Sequence, residues 1–305
     1  MTDRSPSFGL ITPVVTLNPR AHGKWEESAS IEDLRGLAVA ADALGYDFLT
    51  ASEHVAVPKA AVAARGARYF DPLATLGYLA ALTEEIRLVA HVVVLPWAHP
   101  LAIAKRYATL DQLAEGRVVL GVGVGSSEEE FDLLGVDFAG RGPRFEEGLR
   151  ALRAALDSSE PRFEGSHFRF REFVLDPMPR QERLPIWLGG RSLRSLRRAL
   201  EWGEGWIPFG VDLAGFRTLV GGRKGREALA ARAERGEPAP ELIVEPERPL
   251  RMEGDGIEHA VAELSEWTAA GATGFKLRFE AESLAGFVAA LEVFQSEVAA
   301  RLRGG

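Results

Sequence analysis

The 305-residue chain contains no cysteine. Disulfides, thiolate catalysis, Cys-ligated zinc and iron–sulfur clusters are therefore excluded. A basic excess is also missing: 36 Lys and Arg stand against 44 Asp and Glu, a net charge of −8. Nucleic-acid-binding faces need a basic stripe, so that class is disfavoured. No uncharged apolar run approaches the ~20 residues of a membrane span. The opening MTDRSPSFGL lacks the apolar core of a signal peptide. The expected compartment is the cytoplasm, with neither membrane nor nucleic acid as partner.

What is present is ordinary for a globular protein: 46% hydrophobic and 26% charged residues. The length fits two modest domains, or one α/β barrel of roughly 250 residues with insertions. Strand-like and helix-like stretches alternate from end to end. Strand-like runs begin near residues 8, 47, 87, 117, 185, 206, 241 and 274. Most are apolar on both faces, as buried parallel strands are, and most lead into a helix. Ser30 and Asp71 are suited to cap helices over 31–44 and 72–82, and Gly45 to stop the first. Residues 162–175 read as a small external hairpin. The stretch 210–250 is the least legible, a helix interrupted at Gly221-Gly222. No linker splits the chain. The expectation is an α/β (β/α)8 TIM barrel over residues 1–305, a single domain with insertions after strands 2 and 4.

The stretch LGVGVGSSEEEF (120–131) invites a dinucleotide-binding reading. That fingerprint needs G-x-G-x-x-G early in the chain. Here the glycines are spaced by two, Ser126 stands where a third should be, and three βα units come first. Glycine at every second strand position instead marks a bare face with something bulky against it, a facing helix or a flat ligand.

Taken together, several segments resemble the bacterial-luciferase-like family, most closely its coenzyme F420-dependent oxidoreductase branch. They are FGLITPVV, LAVAADALGYDFLTASEHVAVP, and DPLATLGYLAALTEEIRLVAHVVVLPWAHPLAIAKRYATLDQLAEGRVVLGVGVGSSEEEF. GVDFAGRGPRFEEGL and PIWLGGRSLRSLRRALEWGEGWIP follow, and then little until GATGFKLRF. The resemblance implies a (β/α)8 barrel that binds coenzyme F420 or FMN, acts on a small-molecule substrate and forms a homodimer.

It also implies a site at the C-terminal ends of the strands. Glu53-His54 ends the second strand. Such a pair lines the reactive face, His54 as proton donor or acceptor and Glu53 as an orienting group or one half of a buried ion pair. Ala90 would let the cofactor approach the third strand, where the family has a bulge. His91 has two readings: a satisfied core histidine, or a donor to a ring carbonyl. Trp97 is a candidate for packing over the pocket. Gly123 and Gly125 would let a planar ring lie on the backbone, with Ser126 and Ser127 bonding its side chain or phosphate. Gly189, Gly190, Arg191 and Ser192 open a helix and would hold the phosphate.

Smaller readings complete the survey. Glu128-Glu129-Glu130 opens a helix and complements its positive end rather than holding metal. Arg141 and Arg144 are expected to pair with carboxylates, and Lys105 to be structural. A metal hydrolase is disfavoured because the first strand has no His-x-His pair.

Two departures from the family pattern matter. Ser126 stands where sugar-phosphate dehydrogenases of the family carry glutamate, and Val124 where FMN-using luciferase-type proteins carry a phosphate-binding arginine. The expected function is F420-dependent hydride transfer to or from a small organic molecule. The alternatives are an FMN-dependent monooxygenase using reduced flavin and oxygen, and a non-catalytic flavin- or deazaflavin-binding protein.

Overall fold

Eight parallel strands close into a barrel in the order β1-β10-β9-β8-β7-β4-β3-β2. They are β1 (Ser7–Ile11), β2 (Phe48–Ala51), β3 (Arg87–Val94), β4 (Val118–Gly123), β7 (Ile186–Leu188), β8 (Gly205–Trp206), β9 (Glu241–Val244) and β10 (Gly274–Leu277). The computed structural model describes residues 5–19 and 21–304, so the first four residues of the N-terminal stretch read above lie outside it. Every expected strand start falls within one residue of an observed one. The fold is the (β/α)8 barrel.

Local signals fix the helix ends. In α1 (Ile31–Ala43), Ser30 Oγ accepts from Asp33 N while Asp33 returns a bond to Ser30 N. Gly45 follows with φ of +73°. After α2 (Val62–Arg65) comes α3 (Pro72–Ala80), capped by Asp71 with Pro72 at its first position. The circuit continues with α4 (Pro100–Leu113), α5 (Glu128–Leu133) and α6 (Arg141–Leu156). The antiparallel hairpin β5 (Phe163–Glu164) and β6 (Arg169–Phe170) lies outside the barrel sheet. Then come α7 (Leu193–Trp202), α8 (Leu213–Gly221), α9 (Arg223–Glu234), α10 (Gly256–Ala269) and α11 (Leu284–Val293).

The helical stretch 213–234 breaks at Gly222, as its two glycines suggested. Buried Arg232 ties α9 to the end of α7, donating to the carbonyls of Leu200 and Gly203, and it also reaches Pro238 O.

Period-2 alternation splits the apolar residues into two cores. Outward residues such as Leu10, Leu49, Leu88, Leu120 and Phe275 pack beneath the helices. Inward ones, Phe48, Val89, Val119, Trp187, Ile207 and Ile243, fill the barrel. Large inward residues need bare neighbours: a Cβ on Gly9 would lie 2.1 Å from the Phe48 ring. At the N-terminal end the barrel is plugged by Arg87, whose two terminal nitrogens meet both oxygens of Glu241 at 3.0 and 3.1 Å. The guanidinium also lies 5.2 Å from the Trp187 ring centre. The apolar layer sits above this plug, and the C-terminal mouth opens above that.

Candidate functional site

The mouth holds a cavity of about 510 Å³, walled by strand ends and the loops that follow them. This is within the 300–1,000 Å³ typical of small-molecule sites. The β2 end delivers Ser52, Glu53 and His54 to it. The long loop after β2 is held against the first βα loop. Leu17 N bonds Arg68 O at 3.2 Å, Phe70 N bonds Val15 O at 2.9 Å, and Arg68 reaches the carbonyls of Glu26 and Glu27. Tyr69 thereby comes to rest against His54, ring centres 4.4 Å apart and edge to face.

His54 has a carboxylate partner, but it is not the adjacent Glu53. His54 Nδ1 lies 2.8 Å from Glu130 Oε2, and Val55 N donates to the other oxygen at 3.0 Å. Glu130 is almost fully buried, at 1% exposure. The carboxylate fixes Nδ1 and leaves Nε2 for a ligand. Glu53 instead accepts from Val94 N at 2.6 Å across the β2–β3 junction. No cation pairs with it among the described residues. Burial, with Asp71 and Glu130 adding repulsion, raises its carboxyl to about 7, against the opposing hydrogen bond from Val94. The acidic run 128–130 does open a helix, as expected. Its third member also orients a histidine 76 residues earlier.

The bare glycine face packs against the third strand. The register of β3 on β4 slips between Ala90 and Val93, a bulge. The peptide between His91 and Val92 is cis. The bulge aims Val92 at β4 and the β7 end. A Cβ on Gly121 would lie 2.0 Å from Ala90 O. One on Gly123 would lie 2.6 Å, and one on Gly189 3.0 Å, from the Val92 side chain. These glycines therefore make room for the bulge. Gly123, Gly189, His91 and Val92 still line the cavity. Ala90 does not: it is fully buried in β3, and the place expected for it on the cavity wall belongs to Val92.

Gly125, Ser126, Ser127, Gly190, Arg191 and Ser192 all reach the cavity wall. Gly190 takes φ of +110°, turning the chain into α7, where Ser192 and Ser195 form a reciprocal cap. Ser195 Oγ also accepts from Trp206 Nε1 at 3.2 Å, anchoring the turn to the barrel. Arg191 is exposed, 5.7 Å from the Phe209 ring centre, and makes no hydrogen bond or ion pair among the described residues. Ser127 is buried and donates to Glu129, whereas Ser126 is exposed. Arg141 and Arg144 pair with carbonyls rather than the expected carboxylates. Arg141 meets Gly125 O and Phe138 O, and Arg144 meets Pro96 O. A carboxylate pair does exist one helix on, between Arg198 and Glu146. Trp97 lines the cavity, and its Nε1 is buried with no acceptor among the described residues. His99 caps α4, its Nδ1 accepting from Leu101 N at 3.2 Å.

The sequence reading assigned no role to the opposite wall. Lys276, 1% exposed, projects inward from β10 and donates to Glu245 Oε2 at 2.7 Å. It also lies 3.3 Å from His91 Nε2. An ammonium has no lone pair, so His91 Nε2 accepts and Nδ1 carries the ring proton. Burial, with Lys276 and Arg278 beside it, holds His91 well below the ordinary histidine range and neutral. Arg278 shares the inward face with Lys276, two residues on. The signal was available: GFKLRF places two cations at strand spacing in an otherwise apolar run. No group of three His, Asp or Glu residues is placed to hold a metal ion among the described residues.

Comparison with known proteins sets this site in a family. The family model described as luciferase-like monooxygenase matches residues 9–292. An uncharacterized protein of Mycobacterium tuberculosis is 32% identical over 188 residues, covering 58% of this chain and 65% of its own. The FMNH2-dependent dimethylsulfone monooxygenase of Pseudomonas putida is 31% identical over 146 residues, 47% of this chain and 40% of its own. Among solved structures, an F420-dependent secondary alcohol dehydrogenase in complex with an F420-acetone adduct superposes with a TM-score of 0.74 at 16% identity. It covers 97% of this chain and 99% of that one. The coenzyme F420-dependent tetrahydromethanopterin reductase of Methanopyrus kandleri gives 0.73 at 14%, covering 98% and 99%. At these identities the structural likeness establishes the barrel alone. The match spans just under two thirds of the length of the mycobacterial relative.

Proposed function

The chain belongs to the luciferase-like monooxygenase family, and from that premise we propose that it is an oxidoreductase that binds coenzyme F420 in the barrel mouth and moves a hydride to or from a small organic substrate. The observation that carries this reading is the His54–Glu130 pair on the wall of a cavity of about 510 Å³. The residues present fit a flat ring with a phosphate-bearing tail. The cavity has the volume, and among the described residues Trp97 Nε1 is a buried donor without an acceptor and Arg191, at the start of α7 beside Ser192, has no ion-pair partner. A deazaflavin, when bound, supplies hydride transfer at its C5 and little reactivity toward oxygen.

The rest is the work of this chain. Glu130 holds His54 by Nδ1, so Nε2 is the atom that gives or takes the proton of a substrate oxygen or nitrogen. When an alcohol is oxidised, the hydride leaves its carbon and the hydroxyl proton passes to Nε2. When a carbonyl is reduced, both return. Val92, Ile207 and Leu188 keep the wall apolar and limit water. Gly190 N, Ser192 and Arg191 take the phosphate.

A second reading, an FMN-dependent monooxygenase, is favoured by the 31% identity to the Pseudomonas enzyme. Against it stands Val124, which lines the cavity and offers no charge to a phosphate.

Fluorescence titration of the purified protein with F420 and, separately, FMN decides between them. F420 is expected to bind and FMN to bind at least tenfold more weakly. His54→Ala should retain F420 and lose turnover about a hundredfold or more. Preference for FMN would move the assignment to the monooxygenase. Binding of neither would overturn both readings.

A further inference from the structure

The cavity has a cation at each end, and only one end is needed for a phosphate. In the eight-strand ring β10 lies opposite β4, and β1 opposite β7. Arg141, Arg191 and Arg198 stand on the β4–β7 side, and Arg278 stands on the far side, just past β10.

Arg278 differs from every other arginine on the cavity. Arg141 is spent on two carbonyls, Arg198 on Glu146, and Arg191 is in solvent. The Arg278 guanidinium makes no hydrogen bond or ion pair among the described residues, and its Nε is shut off from solvent without an acceptor. Its backbone is held firmly: Leu250 N donates to Arg278 O at 2.8 Å, and Leu250 bridges Phe279. Two carboxylates favour its charge from a distance, Glu245 and Glu26. Neither forms an ion pair with it. Glu245 is engaged by Lys276, and Glu26 accepts from Val14 N and Gly23 N. A half-buried guanidinium whose Nε is shut off from water with no acceptor among the described residues, and whose terminal nitrogens face the cavity, is suited to a ligand that supplies the acceptor.

We propose that Arg278 is a substrate-binding residue and that the substrate of this site carries a carboxylate, which the guanidinium grips in the planar two-bond geometry that such pairs favour.

The position suits the chemistry argued above, on which this inference rests. The β10 end is separated from the β2 end only by β1. Two strand spacings are about 10 Å at the backbone, and inward side chains converge from there. Tyr69 spans part of that gap, edge-on against His54 and on the same cavity as Arg278. A molecule with its carboxylate on Arg278 thus presents a carbon a few bonds away to His54. The wall between is apolar, with Ile11 and Val92. The expected ligand is a carboxylic acid with a short hydrocarbon body bearing the reacting carbonyl, alcohol or imine.

The test is isothermal titration calorimetry of the full chain, with and without bound cofactor. The probes are benzoate, cyclohexanecarboxylate and octanoate, each against its neutral amide. At least one acid should bind tenfold or more tightly than its amide. Arg278→Gln should abolish that preference, and Arg278→Lys should retain part of it. Cofactor affinity should change less than about twofold in both variants. Equal binding of every acid and amide by the native chain overturns the proposal whether or not the variants fold. So does a preference that survives Arg278→Gln, or a variant that loses cofactor affinity and keeps the preference. The cofactor-free titration stands apart from the F420 and FMN titrations, so failure of the carboxylate site and failure of the cofactor assignment are read separately.

Discussion

Glu53 offers a test that needs no ligand. Its carboxyl is raised by burial to about 7, from an ordinary value of 4.5. Between these two values the folded chain holds a proton that the unfolded chain has released. Stability falls with rising pH wherever the folded state binds more protons. The native protein should therefore lose stability from about pH 4.5 to about pH 7 and be level above that, as far as this group is concerned. Each tenfold in proton affinity is worth about 1.4 kcal/mol, which makes the full change ~3 kcal/mol. Glu53→Gln removes the titration and keeps a side-chain oxygen for Val94 N, the one hydrogen bond the carboxylate accepts among the described residues. Urea unfolding of cofactor-free protein at pH 5 and pH 8 measures the effect. The variant should gain about 2–3 kcal/mol on the native chain between these two pH values, and be the more stable at pH 8. A difference that stays flat with pH would refute the argument. It would mean that water or a cation reaches the carboxylate and that burial does not govern its proton.

Four further outcomes are expected. Glu130→Gln keeps an acceptor for Val55 N but removes the charge beside His54, so turnover should drop roughly ten- to hundredfold with cofactor affinity unchanged, by steady-state kinetics and fluorescence titration. Gly121→Ala places a Cβ 2.0 Å from Ala90 O and should lower unfolding stability by about 3 kcal/mol or more. Gly36→Ala, mid-helix with only Leu284 near at 3.8 Å, should raise it by about 0.5–1 kcal/mol. Arg232→Met leaves the carbonyls of Gly203 and Pro238 without this donor, while Arg235 still serves Leu200 O and Glu237, and should cost about 2–3 kcal/mol in thermal or urea unfolding.

The barrel was legible because each of its strands is short, apolar on both faces and punctuated by a cap or a glycine. Ser30, Asp71 and Gly45 act as their chemistry suggests. The placing of Glu53 and His54 at a strand end was equally readable. Their division of labour was not. Neighbours on a strand point to opposite faces, so Glu53 was poorly placed to serve His54. The carboxylate that does so comes from a helix 76 residues on, in a run of acids that helix electrostatics alone explains. Ala90 was misplaced for a different reason. The resemblance put it on the wall, although parity sends Ala90 outward with Leu88; the bulge then resets the alternation, so parity does not tell which residue beyond it faces the cavity. Only the slip between Ala90 and Val93 shows that Val92 does. The same bulge answers the puzzle of the glycines. Their bare face signalled a close neighbour, but strand and ligand leave the same trace in the sequence.

Parity also explains why two ion pairs inside one barrel have different meanings. Counting by twos, Arg87 and Glu241 are inward-facing at the starts of β3 and β9, and Lys276 and Glu245 are inward-facing toward the ends of β10 and β9. Residue types alone would not separate them. Position along the strand does, because the apolar layer of Phe48, Trp187 and Ile243 lies between. Below that layer both Glu241 oxygens are used by one guanidinium, which also lies against two aromatic rings. Arg87 and Glu241 are fully engaged with each other, and the pair closes the barrel. Above it, Lys276 is shared between Glu245 and His91, while Arg278 beside them has no acceptor for its guanidinium among the described residues. A closed pair stabilises a fold. An open one at the C-terminal end of a barrel, where ligands enter, leaves donors for a molecule from outside.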